Sequence, residues 1–132
     1  MTYLLDTNVW IDALRGSNPK VIQRLNEVAA DEIRLSSIVL GELRLGVKKQ
    51  GSLRQSRAIE VLSGSYEPVG VDIPVAEAYA DIRLELELAG QPIGPNDLWI
   101  AAQAKVNEFV LVTANTGEFS RVASLNVVNW RS

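Results

Sequence analysis

Short apolar runs separated by helix-length segments predict an α/β domain, a three-layer α/β/α sandwich with helices on both faces of a short, mainly parallel sheet. Three observations carry this reading. The runs Tyr3 to Leu5, Ile33 to Ser36, Val69 to Val71 and Phe109 to Thr113 have strand length, and most lie too far apart in sequence for hairpins. The segments between them space their apolar residues by threes and fours. Phe109 to Thr113 is continuously apolar up to its final Thr, as expected of a strand buried on both faces of a parallel sheet.

Taken in order, Tyr3 to Leu5 is a strand, and a helix runs from Thr7 to a stop by Gly16. Asn18-Pro19 reads as an N-cap with Pro at the first helical position, and Val21, Ile22, Leu25, Val28 and Ala29 give the next helix one apolar face. Ile33 to Ser36 is the second strand, followed from about Ser37 by a helix carrying Ile38, Leu40, Glu42, Leu43 and Leu45. Gly51-Ser52 interrupts the pattern, and a further helix covers Leu53 to Leu62. Gly64 and Pro68 frame a turn into a third strand at Val69 to Val71. Asp72 and Pro74 start a helix with a buried stripe at Val75, Ala78, Tyr79, Ile82, Leu86 and Ala89, ending near Gly90. Gly94-Pro95-Asn96 opens the next, from Asp97 to about Val106, and Asn126 to Trp130 adds a last strand.

The 132 residues, 47% hydrophobic and 22% charged, fit one domain over 1–132 with a single core, and no repeat or linker divides them. There is no Cys and no His. That excludes disulfides, thiol nucleophiles, Cys/His zinc sites and every His-based triad, leaving carboxylates, hydroxyls, Lys, Arg or an oxygen-held metal to do any chemistry. A net charge of -3 supplies no global field for nucleic acid, so any such binding must be local. Asp6 and Asp12 interrupt the N-terminal apolar stretch, so it does not read as a secretory signal, and no run approaches the ~20 apolar residues of a membrane span. The expected location is the cytoplasm.

In a parallel α/β sheet, ligands bind beyond the carboxyl ends of the strands. Asp6, with Thr7 and Asn8, directly follows the first strand. Glu42 comes early on the helix after the second strand, Asp97 stands in the first turn of its helix, and Thr113, Asn115 and Glu118 follow the strongest strand. Each acid by itself also fits a helix cap or a solvated helix or loop acid. Jointly they bring oxygen donors from four segments to one edge. Carboxylates gathered this closely raise one another's pKa unless a cation neutralises them, and an all-oxygen donor set suits Mg²⁺ or Mn²⁺. Such ions support phosphodiester hydrolysis without His or Cys. Between Glu42 and Glu60 the chain carries Arg44, Lys48, Lys49, Arg54 and Arg57 with no acid. This is either a solvated helix pair or a phosphate-tracking rim, which Arg15 and Lys20 extend.

These residues resemble the PIN-domain nucleases, and among them the VapC-type toxins of prokaryotic type II toxin-antitoxin pairs. The resemblance rests on Tyr3-Leu4-Leu5-Asp6-Thr7-Asn8, Ser36-Ser37-Ile38-Val39-Leu40-Gly41-Glu42-Leu43, Gly94-Pro95-Asn96-Asp97-Leu98-Trp99-Ile100-Ala101, and Leu111-Val112-Thr113-Ala114-Asn115 with Glu118-Phe119. The ending Val127-Val128-Asn129-Trp130 is also similar, so the likeness spans essentially the whole chain. It implies a metal-dependent endoribonuclease, a homodimer able to join a larger toxin-antitoxin assembly, inhibited by a VapB-type antitoxin whose C-terminal segment fills the groove near the active site. A structured RNA such as tRNA is the expected substrate. Carried over, Asp6, Glu42 and Asp97 hold Mg²⁺, or Mn²⁺ in its place. Many members have Asp where this chain has Asn115, so either Asn115 serves as a neutral ligand or water anchor, or Glu118 supplies the missing charge. The implied reaction is in-line attack of water on phosphorus, leaving 5′-phosphate and 3′-hydroxyl ends. Thr7, Asn8 and Thr113 are the expected positioning residues beside the acids, with Arg44 and Lys48 on flanking phosphates.

Other classes fit less well. A phosphoaspartyl phosphatase wants a second Asp two residues after the first, where this chain has Asn8, and a receiver module wants a Lys after a late strand, which Thr113 to Glu118 lacks. A non-catalytic RNA- or partner-binding domain is the remaining alternative.

Overall fold

A computed structural model describes residues 1–132, and its centre is the strand that opens the chain. Strand β1 (Tyr3–Leu5) pairs in parallel with β2 (Ile33–Ser36) on one side and with β4 (Val110–Val112) on the other. Beyond them lie β3 (Glu67–Val69) and β5 (Val127–Val128), so the order is β3-β2-β1-β4-β5 with every pairing parallel. The register sets Tyr3 opposite Ile33 and Val110, and Leu5 opposite Val112. Strand order reverses between β1 and β4, and this switch point opens a crevice at the carboxyl edge of the sheet.

The chain between β1 and β2 forms α1 (Thr7–Arg15) and α2 (Pro19–Glu27), and that between β2 and β3 forms α3 (Ser37–Gln50) and α4 (Leu53–Ser65). Helices α5 (Ile73–Leu88) and α6 (Pro95–Val106) join β3 to β4, and a one-turn α7 (Thr116–Phe119) precedes β5. Right-handed crossovers put α1 to α4 on one face of the sheet and α5 and α6 on the other. Accordingly α1 packs on α2 and α3, α3 on α4, and α5 on α6. Leu4, Leu5, Leu35, Leu111 and Val112, all fully buried or nearly so, form the centre of the core, with Trp10, Val39, Ile59, Ile100 and Phe119 packed around them. No helix is long and apolar enough to cross a membrane.

Local chemistry explains where the helices start and stop. Asn18 caps α2 ahead of Pro19, Ser36 caps α3, Ser52 caps α4 and Asp72 caps α5, each through a side-chain oxygen that accepts from a first-turn N–H. Gly51 ends α3 at φ 67°, a left-handed conformation that strains side chains bearing a Cβ.

Several boundaries differ from the sequence reading. The third strand is Glu67–Val69 rather than Val69 to Val71, because Arg34 to Ser36 of β2 pair with those residues. Pro68 lies inside the strand, where its missing N–H is tolerated because β3 is an edge. Helix α4 continues through Gly64 to Ser65, and α2 ends at Glu27 because Val28 turns extended, with a 3₁₀ turn at Ala30–Glu32 leading into β2. The last strand keeps only Val127–Val128 of Asn126 to Trp130. Trp130 instead buries its ring against Tyr3 at 5.3 Å between centroids, under the Arg24 guanidinium, while Arg131 Nε donates to Asp12 Oδ2 at 2.5 Å. This tail fastens the C-terminus to α1 and α2.

Leu111→Ala, at a fully buried position in the middle of β4, is expected to lower unfolding free energy by about 2–5 kcal/mol in denaturant titration. A loss below about 1 kcal/mol would place the centre of the core elsewhere.

Candidate active site at the carboxyl edge of the sheet

Asp6 leaves β1 and is the N-cap of α1, with only 7% of its surface exposed. Its Oδ1 accepts from Val9 N–H at 3.2 Å, so the cap reading of this residue is right for one oxygen. Its Oδ2 accepts from the buried hydroxyl of Thr113, just past the end of β4. The residues that follow the two strands flanking the switch point are thereby joined. Burial pushes the Asp6 carboxyl above the usual carboxylate range, against the pull of Thr113, the Val9 and Asn8 N–H groups and Arg131.

Glu42 sits half-buried in the second turn of α3, and its Oε1 accepts from Thr7 Oγ1 at 2.8 Å. Thr7 opens α1, so Asp6 and its neighbour bind two of the four acid-bearing segments together. Asp97 lies in the first turn of α6, where free N–H groups and the helix dipole favour a carboxylate. Across from it, Glu118 on α7 accepts from Gly94 N–H at 2.9 Å and from Asn115 Nδ2 at 2.7 Å. The Asn115 amide is thus directed at Glu118, and its backbone N–H donates to Thr113 Oγ1 at 3.0 Å.

Asp97 and Glu118 act on each other in opposite senses, Asp97 being pushed towards its protonated form and Glu118 towards its charged one. Burial, then Glu118, then the charges of Asp6 and Glu42 push the Asp97 carboxyl up to about 7. The Gly94 N–H, aided by the Asn115 amide, holds Glu118 below its ordinary range. The four predicted acids therefore feel one another, and none of them forms a salt bridge.

The expected supporting residues divide. Thr7, Thr113 and Asn115 join the cluster through the bonds above, whereas Asn8 is exposed and contributes its backbone N–H. Between α1, α3 and α4 a groove of about 480 Å³ runs up to Glu42, with Ile11, Leu14, Val47 and Ile59 among its apolar walls and Arg15 and Arg54 among its charged ones. Arg44 and Lys48, expected to meet phosphates, do not line it. Helical phase explains this, since Glu42, Leu43, Gly46, Val47 and Gln50 make the groove face of α3 while Arg44 and Lys48 fall off it. Two polar groups of the framework carry no motif signal, the Gly94 N–H and the buried side chain of Gln103. Only an amide set among Ile100, Ala101, Ala102 and Ala104 hints at the latter.

With the side chains in these rotamers, no three carboxylates converge into a finished ligand set. Asp6 and Glu42 are each turned onto a threonine hydroxyl. The donor chemistry nevertheless fits a hard divalent cation, because every side chain in the cluster offers oxygen and none of the acids is neutralised by a salt bridge.

The raised Asp97 pKa fixes a sign for stability. Between about pH 4 and 7 the folded chain holds a proton that the unfolded chain releases, so this residue's contribution to stability falls as pH rises through that window. In EDTA, Asp97→Asn is expected to melt close to the parent at pH 4.5 and a few degrees above it at pH 8, measured by thermal denaturation. A difference independent of pH would show that Asp97 is not under electrostatic strain.

The PIN domain family model matches residues 3–125. Ribonuclease VapC2 of Rickettsia felis is 35% identical over 132 residues, 98% of each chain, and the tRNA(fMet)-specific endonuclease VapC of Shigella flexneri is 33% identical with the same coverage. Among solved structures, VapBC2 of R. felis bound to a promoter DNA fragment superposes with a TM-score of 0.89 at 34% identity, covering 98% of this chain and 99% of that one. With the parallel five-stranded sheet and the acids gathered at its switch point, these likenesses establish that the chain belongs to the PIN-domain family, in its VapC ribonuclease branch.

Proposed function

We propose that this protein is a Mg²⁺-dependent endoribonuclease, with Mn²⁺ able to replace Mg²⁺, and that it is the toxin of a toxin-antitoxin pair. One observation carries the catalytic reading: Asp6, Glu42, Asp97 and Glu118 come from four different elements to the carboxyl edge of the sheet, held there by Thr113, Thr7 and the Gly94 N–H, and none of them forms a salt bridge. Asp6, Glu42 and Asp97 would hold the ion. When bound, it would supply a Lewis acid that stabilises charge developing on the phosphate and activates water.

The chain's own residues have separable tasks. Thr113 and Thr7 hold one oxygen each of Asp6 and Glu42, limiting how those carboxylates turn. Glu118, held by Gly94 and Asn115, supplies a fourth charge that the neutral Asn115 does not. Arg15 and Arg54 on the groove walls take over the phosphate-holding role expected of Arg44 and Lys48. In-line attack of water then leaves 5′-phosphate and 3′-hydroxyl ends.

The name of the Shigella relative supports a structured RNA such as tRNA as substrate. The VapBC assemblies among the structural neighbours support a VapB-type antitoxin as partner, and the resemblance to VapC-type toxins implies a toxin homodimer within that complex. A toxin acting on cellular RNA would work in the cytoplasm.

Purified chain, freed of antitoxin, should cut total bacterial RNA at discrete sites with Mg²⁺ and not with EDTA, and Asp6→Ala should abolish the cuts. Fragments ending in 2′,3′-cyclic phosphate would contradict the mechanism. No cleavage by folded protein with any divalent ion would instead favour a non-catalytic RNA- or partner-binding domain.

Replacing Arg15 and Arg54 together by Ala should raise KM for RNA with kcat nearly unchanged, and reduce the salt dependence of binding by roughly 0.7 in log-log slope per residue removed. An equal effect from Arg44→Ala with Lys48→Ala would move the phosphate path off the groove.

A further inference from the structure

Gln103 lies in the third turn of α6 with no exposed surface, and its amide makes three hydrogen bonds. Oε1 accepts from Ser36 Oγ at 2.6 Å, while Nε2 donates to the carbonyls of Val69 at 3.0 Å and Gly70 at 3.1 Å. Two carbonyls can only accept, so the orientation of the amide is determined by its partners. Ser36 is itself engaged, since its Oγ accepts from the N–H groups of Ile38 and Val39 at 3.1 and 3.4 Å and so caps α3. One buried amide thereby ties α6 to the carboxyl ends of β2 and β3 and to the start of α3.

The arrangement is nearly symmetrical about the site. Glu42 lies six residues beyond Ser36, and Asp97 six residues before Gln103. Each acid is carried on the helix that the Ser36–Gln103 bond joins to the other, Asp97 about 9 Å along its axis from Gln103. No other side-chain hydrogen bond links α6 to β2 or α3. A merely space-filling residue at this point would be apolar, as Ile100, Ala101, Ala102 and Ala104 are. An amide buried here is tolerated because both its N–H groups and its oxygen have partners, and in return it specifies one relative placement of the two helices.

We infer that Gln103 is a positioning residue that sets the spacing of Asp97 from Glu42 and thereby the affinity of the site for a divalent cation. This rests on the metal-dependent reading above. It assigns a role in that site to a residue that touches neither the acids nor the groove.

The test compares the full-length protein with Gln103→Met, which keeps the length of the side chain and loses its hydrogen bonds, and with Val21→Ala, a core truncation on α2 remote from the acids. Mn²⁺ affinity is measured by titration calorimetry well below each melting temperature, with melting temperatures determined in EDTA. Gln103→Met is expected to weaken Mn²⁺ binding by about tenfold or more, the range seen when groups behind metal ligands are removed. Val21→Ala should lose stability with affinity unchanged. Unchanged Mn²⁺ affinity in folded Gln103→Met, or an equal loss in both variants at matched stability, would overturn the positioning role. Failure of the parent chain to bind Mn²⁺ would instead overturn the metal-dependent reading on which it stands.

Discussion

Everything at the carboxyl edge depends on one buried bond, from the Thr113 hydroxyl to the Asp6 carboxylate. It joins the ends of β1 and β4 at the place where strand order reverses, and it leaves Asp6 with one oxygen committed to the cap of α1 and the other to the neighbouring strand. A carboxylate this buried is tolerable only because both oxygens have donors. The same bond places Asp6 where α1, through Thr7, reaches Glu42 on α3. Caps, strand order and site geometry are here a single arrangement.

The acids that surround Asp6 concentrate unfavourable charge in a part of the molecule whose ion pairs lie elsewhere. Arg24 with Glu27, Arg34 with Glu67, Arg83 with Glu87 and Arg131 with Asp12 all serve the helices, a strand edge or the C-terminal tail. Asp97 takes up a proton as the local remedy, and Glu118 keeps its charge by leaning on the Gly94 N–H. Like charges assembled this closely cost stability, the cost that the proposed cation site would relieve. The groove beside Glu42 differs in character, with apolar walls and two arginines, and so is suited to hold something larger than an ion.

The sequence carried the acids of the site with unusual clarity, because Asp6 follows a strand and caps a helix, Asp97 and Glu118 stand in first turns, and Glu42 comes early on the helix after the second strand. Asp6, Glu42, Asp97 and Glu118 all lie at the carboxyl edge of the sheet, although no three of them converge on one point. What it carried poorly were features set by neighbours. Pro68 looked like a turn residue and is in an edge strand because β2 supplies its partner. Arg44 and Lys48 looked equivalent to Arg54, and only the rotation of α3 against α1 and α4 sorted them. Asn8, adjacent to two residues of the site, points its side chain to solvent. Gln103 had no motif at all, since a buried amide is recognised only by the partners that surround it.

The alternation of strand and helix, the helix starts at Asn18 and Asp72, the resemblance to the PIN-domain nucleases and the identity of the acids were determined by the sequence alone, because each rests on residues within a turn or two of one another. The strand order, the opposite shifts of Asp97 and Glu118, the groove that brings Arg15 and Arg54 beside Glu42, and the amide that joins α6 to α3 were decided only by tertiary structure. Each of these depends on groups brought together from distant parts of the chain, as Thr113 is to Asp6 and Gln103 to Ser36. Local propensity carries no record of such pairings, since their energy exists only once the sheet has assembled and excluded water from between them.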